Sequence, residues 1–101
     1  MTRGEVWLAQ VGRKKRPVVI LTRPEVIDVR ALVTVAEITT SVRGLAVEVE
    51  ISDSAGVERA SVVNCDGIHT VARASLTTRV GRIEDAAMRE ICSAIGYALA
   101  C

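Results

Sequence analysis

Short β-branched stretches, alternating or wholly apolar, dominate the chain from its start to about residue 83. Gly4–Val11, GEVWLAQV, sets Val6 and Leu8 against Glu5 and Trp7. Pro17–Thr22, PVVILT, is apolar throughout but too short for a buried helix, so a buried strand is expected. Pro17 suits the first position of that strand, where a missing N–H is tolerated. Residues 31–39, ALVTVAEIT, form a third candidate. Residues 45–51, LAVEVEI, put Leu45, Val47, Val49 and Ile51 inward and Glu48 and Glu50 outward. Asp53-Ser54-Ala55-Gly56 is a turn. ASVVNC is a fifth strand, and IHTV and TTRVGRI give one or two more around a connection at Ala72–Ser75. The period then changes. Met88, Ile91, Cys92, Ile95, Ala98 and Leu99 recur at steps of three and four, the stripe of an amphipathic helix. Glu84 and Asp85 stand at its start, where unpaired N–H groups favour negative charge. Five to seven short strands and one closing helix predict a mainly β (α+β) fold, a small barrel with a C-terminal helix. Closure also removes the bare edges that such apolar strands would present.

With 101 residues the chain is expected to be one domain spanning 1–101, able to bury roughly 65% of its unfolded surface. Trp7 and Tyr97 are its whole aromatic complement, which excludes a wall of stacking platforms for bases. Cys65, Cys92 and Cys101 are odd in number and not at metal-ligand spacing, so reduced thiols in a cytoplasmic chain are expected, with no metal and no cofactor. The N-terminus lacks the apolar stretch of a signal peptide. No apolar run approaches the ~18 residues of a membrane helix.

Net charge is +1, but its distribution is uneven: residues 1–43 hold eight Lys and Arg against four Asp and Glu, and residues 44–101 five against eight. Half of those eight cations form one tetrad, Arg13, Lys14, Lys15 and Arg16, standing directly before the apolar PVVILT run. Such asymmetry fits an anionic ligand met by one surface; taken alone it fits a solubilised loop equally.

RGEVWL at the start, KRPVVILT next, VAEITT after it, then ASVVNCDGIHTV and L-x-x-R-V-G-R-I before a terminal helix resemble, in this order and spacing, the MazF/PemK toxin family of type II toxin–antitoxin systems. The resemblance runs from Arg3 to Leu99. It implies an SH3-like barrel of PemK type that forms a homodimer. It implies a metal-independent endoribonuclease that cuts single-stranded RNA (mRNA, rRNA or tRNA) and so arrests translation and growth. It also implies a cognate antitoxin whose acidic tail occupies the RNA groove. The family's functional Arg before the strand Pro corresponds to Arg16, and its functional Thr in V-x-x-I-T to Thr39. Many members have a longer first loop with Gly-Ser-Glu/Gln before Arg-Pro; this chain runs from Gln10 through Gly12 into the tetrad.

RNA carries its own nucleophile, so such an enzyme needs no catalytic Ser or Cys; well-oriented intramolecular attack reaches effective molarities of ~10⁵–10⁸ M. The Arg16 guanidinium matches phosphate oxygens with a fixed fork of donors, and the Thr39 hydroxyl can donate to a non-bridging oxygen. A surface ion pair for Arg16 and a plain strand role for Thr39 are the alternatives without the resemblance. Arg13, Lys14 and Lys15 then become phosphate-positioning contacts. Thr40, Ser41 and Arg43 follow Thr39 towards the same groove. Asn64 and Asp66 can read base edges, or simply make a turn in N-C-D-G. His69, the single histidine, has no carboxylate partner evident in the sequence and reads first as structural. Cys65 reads as a small apolar filler, and Trp7 as packing at a dimer contact or against the terminal helix. Two other readings stay open: a non-enzymatic toxin of this fold that grips a protein target, and a catalytically inactive member that binds the antitoxin.

Overall fold

The computed structural model describes residues 1–11, 13–52, 55–57 and 60–101, with Val11 described by its backbone alone. The elements are β1 (Glu5–Val11), β2 (Lys14–Ile20), α1 (Pro24–Ile27), β3 (Leu32–Thr39), β4 (Glu48–Glu50), β5 (Val62–Ala72), β6 (Leu76–Arg82) and α2 (Asp85–Ala98), with a turn of 3-10 helix at Arg73–Ser75 between β5 and β6. Every ladder is antiparallel, in the order β4-β5-β3-β2-β1-β6. None of the helices is long and apolar enough to cross a membrane, as judged over the described residues.

The sheet curls on itself. Val6, Val19, Ala36, Ile38, Val49, Val63 and Cys65 share one cluster with Ile83, Met88, Ile91 and Ala94, and Val80 packs against it. Strands from both ends of the order meet there, which a flat sheet does not allow. The ends come together at glycines. A Cβ on Gly56 would fall into the backbone of Val80, and one on Gly81 into the backbone of Ala55, so the chain beyond β4 lies directly on β6.

A second cluster covers the outer face: Ala9, Val18, Ile20, Ile27, Val33, Val35 and Leu76, with Met1, Trp7 and Val71 against it. Both faces of β2 and β3 are therefore covered at their centre. This is why Val18-Val19-Ile20 is continuously apolar rather than alternating. Trp7 lies with this outer cluster, not against α2, and its indole N–H donates to Glu5 Oε1 at 3.1 Å. Burial opposes the charged form of Glu5, but the Thr2 N–H, the indole, the N-terminal amine and Arg79 outweigh it and hold the carboxyl below its usual range.

Four expectations are corrected. β2 begins at Lys14, so Pro17 is mid-strand and most of the tetrad is strand. Residues 45–51 yield only the three residues of β4; Leu45 is 42% exposed because the Glu48 carboxylate accepts the Arg43 and Leu45 N–H groups and holds a turn there. ASVVNC and IHTV belong to one strand: β5 runs through, with a register shift where Ala36 faces Ile68 and Glu37 faces Asn64. N-C-D-G is therefore a bulge, not a hairpin turn. On α2 the buried residues are Met88, Ile91 and Ala94, while Cys92 is exposed. The expected turn at Asp53–Gly56 is described only at Ala55 and Gly56; Asp53 and Ser54 lie outside the described residues.

Candidate active site

The β2–β3 ladder runs Ile20–Val35, Val19–Ala36, Val18–Glu37 and stops. The next residue of β2 is Pro17, which has no N–H to continue it. Beyond that point β2 stays paired with β1, through Pro17–Leu8, Arg16–Ala9 and Lys15–Gln10. A cleft opens where β2 and β3 part. Arg16 stands two residues past Val18 on β2, and Thr39 two residues past Glu37 on β3.

Side chains alternate along a strand, so Arg16 follows Val18 on the outer face of β2, and Glu37 and Thr39 follow Val35 on the outer face of β3. The outer apolar cluster thus passes into a polar patch on the same surface. Arg16 and Thr39 line two adjoining clefts. The larger, about 520 Å³, also takes Lys14, Lys15, Thr40 and Ser41, and reaches across the barrel end to Gly56, Val57 and Val80. The smaller, about 290 Å³, adds Glu37, Arg43 and Asn64.

Arg13, Lys14, Lys15 and Arg16 are exposed, and the Arg16 side chain makes no hydrogen bond or ion pair among the described residues. Thr39 Oγ1 accepts the Ser41 N–H at 3.0 Å, which fixes the oxygen and leaves the hydroxyl proton to be donated. Asn64 Oδ1 accepts the Asp66 N–H at 3.1 Å and so braces the bulge, while its side chain lines the smaller cleft. Arg13 and Asp66 line neither cleft. Cys65 is fully buried; burial, then Asp66 and Cys92, push its thiol up to about 11, as befits a filler. Among the described residues no group of three His, Cys, Asp or Glu is gathered to hold a metal ion.

The sequence reading missed Glu37. Its Oε2 lies 3.3 Å from His69 Nε2, so the histidine does have a carboxylate partner, supplied by the neighbouring strand. Gly67 makes the space: a Cβ there would collide with Oε2 of Glu37 and stand 3.3 Å from Nδ2 of Asn64. The two-residue step from Glu37 to Thr39 was the available signal.

A family model described as PemK-like, MazF-like toxin of type II toxin–antitoxin system matches residues 2–99. The probable endoribonuclease MazF5 of Mycobacterium tuberculosis is 43% identical over 103 aligned residues, covering 98% of this chain and 93% of that protein. Among solved structures, the Mycobacterium tuberculosis toxin MazF-mt6 superposes with a TM-score of 0.89 at 40% identity, over 95% of this chain and 96% of that one. A mycobacterial endoribonuclease in complex with its cognate antitoxin superposes with a TM-score of 0.91 at 26% identity, over 99% and 95%.

Proposed function

Because the chain belongs to the PemK-like, MazF-like toxin family of type II toxin–antitoxin systems, we propose that residues 1–101 act as one toxin domain and as an endoribonuclease on single-stranded RNA. The RNA 2′-OH attacks the adjacent phosphorus, and the products are a 2′,3′-cyclic phosphate and a 5′-OH end. The reaction needs no metal-bound water to supply a nucleophile. Arg16 stabilises the charge of the phosphorane with its forked donors and protonates the leaving oxygen. Thr39 donates to a non-bridging oxygen. Lys14 and Lys15 position the backbone in the larger cleft with Thr40 and Ser41, and Arg13 extends the basic surface beyond it. Asn64 meets bases or sugars in the smaller cleft, and Asp66 and His69 extend that contact along β5 beyond its rim. A homodimer and an antitoxin with an acidic tail, the natural competitor for a basic cleft, complete the system in the cytoplasm.

The single observation that carries this reading is that Arg16 and Thr39 line the same two clefts, with Lys14 and Lys15 beside them in the larger. Purified protein incubated with mixed-sequence RNA in excess EDTA is expected to leave 5′-OH ends, and a substrate lacking the 2′-OH is expected to stay intact. Cutting should slow about 10²–10³-fold in Arg16→Ala and fall in Thr39→Ala. Absence of cuts across diverse RNAs, or cutting at the wild-type rate in Arg16→Ala, would overturn the assignment.

A further inference from the structure

We infer that Glu37 is the group that takes the proton from the attacking 2′-OH, held for that task by His69 and by the space at Gly67; the inference rests on the ribonuclease reading above. That mechanism leaves one proton without an acceptor. A guanidinium with a pKa above ~12 has almost no neutral form at pH 7, so Arg16 does not take it.

Among the described residues, Glu37 is the one carboxylate lining the smaller cleft, which Arg16 and Thr39 line with it. It stands two residues before Thr39 on the same face of β3, and its register partner on β2 is Val18, two residues from Arg16. A phosphate held between Arg16 and Thr39 therefore has this carboxylate alongside it. The placement is built by the bulge in β5. That bulge sets Asn64 opposite Glu37 and brings His69 Nε2 within 3.3 Å of its Oε2. Gly67 is where the carboxylate rests, and a methyl group there would displace it. The charged groups that share its cleft are Arg16 from β2 and Arg43 from the chain after β3, and His69 of β5 is its ion-pair partner. Glu48 of β4 is engaged with the Arg43 and Leu45 N–H groups.

In the step itself, the 2′-O–H proton passes to Glu37 as the O2′–P bond forms. The P–O5′ bond breaks, and the 5′-oxygen takes a proton from Arg16. Water restores that proton and removes the one on Glu37.

The test compares wild type, Glu37→Gln, Gly67→Ala, His69→Gln and Arg16→Ala on one mapped RNA oligonucleotide. The oligonucleotide is made with either the ordinary 5′-oxygen or a bridging 5′-sulfur at the cleavage position. Sulfur leaves without protonation. Glu37→Gln should lower kcat by about 10²–10⁴-fold on both substrates and abolish the acid limb of the pH–rate profile. Gly67→Ala, which keeps the carboxylate but moves it, should fall on both substrates as well. His69→Gln, which removes the side chain that holds the carboxylate, should lower kcat on both substrates with KM unchanged, a split that a general loss of structure would not produce. Arg16→Ala, by contrast, should be partly rescued by sulfur. Glu37→Gln cutting at wild-type rate with its acid limb intact, or rescued by sulfur, overturns this assignment and leaves the ribonuclease reading standing. Wild type that cuts no RNA overturns the ribonuclease reading and this one with it.

Discussion

The role proposed for Arg16 is geometric as much as electrical. Replacement by Ala removes donors worth ~3–4 kcal/mol in a transition state, so kcat should fall about 10²–10³-fold. Arg16→Lys keeps the charge and loses the fork, and should recover only part of that loss in single-turnover assays. Cys65 makes the opposite kind of prediction. Its buried thiol is raised to about 11, so at pH 8 a thiol reagent should modify the exposed Cys92 and Cys101 in the native protein and reach Cys65 only after denaturant is added. Residue identity alone carried little of this site. Arg16 and Thr39 were nominated by a family resemblance, which did not reach the mid-strand glutamate lining a cleft with them. A Glu inside a strand reads as a solvent-facing side chain. What sets His69 beside it is a bulge on another strand, and register between strands is not written in local pattern.

Among the elements, α2 was legible because its period needs no partner to be recognised, although the buried stripe takes in Ala94 where Cys92 was expected. Ile91 is fully buried at its centre. Ile91→Ala should cost about 2–5 kcal/mol, read as a lower urea midpoint with an unchanged slope. The β3–β4 connection was not legible, because its alternating sequence is overruled by one side chain. Glu48 accepts the Arg43 and Leu45 N–H groups. The Leu45 N–H foremost, against some desolvation and with help from the Arg43 N–H, holds its carboxyl below the ordinary value of 4.5. A depressed carboxyl contributes stability that is present above that ordinary value and lost as the pH falls through its lowered one. Glu48→Gln should therefore show a smaller loss of stability than wild type between pH 6 and pH 3, measured by urea midpoints at each pH. The β2 start also escaped the sequence reading, since a run of four cations disguises a strand whose partner is β1.

For the whole molecule, the class, the closing helix and the absence of aromatic platforms were all readable, because they depend on composition and period. The two-faced burial of β2 was hinted at by its unbroken apolar run. The meeting of the sheet's ends was not, since it depends on how far the sheet twists. Charge acts at this scale too. Lys14 and Lys15 line a cleft that spans the barrel end, and each single-strand phosphate left unneutralised should reduce the salt slope of RNA affinity by roughly 0.7. Lys14→Ala and Lys15→Ala should therefore weaken binding to all sequences alike, measured by titration across a salt series, with no change in the preferred site. The close approach of glycines between the two ends of the sheet has a consequence of its own. The larger cleft has Arg16 and Thr39 on one bank and Gly56, Val57 and Val80 on the other. A guest lodged there touches the hoop on both sides of its join, as a strap crosses a buckle. Filling the cleft and keeping the hoop shut then become one event, and whatever loosens the join loosens the grip on the guest.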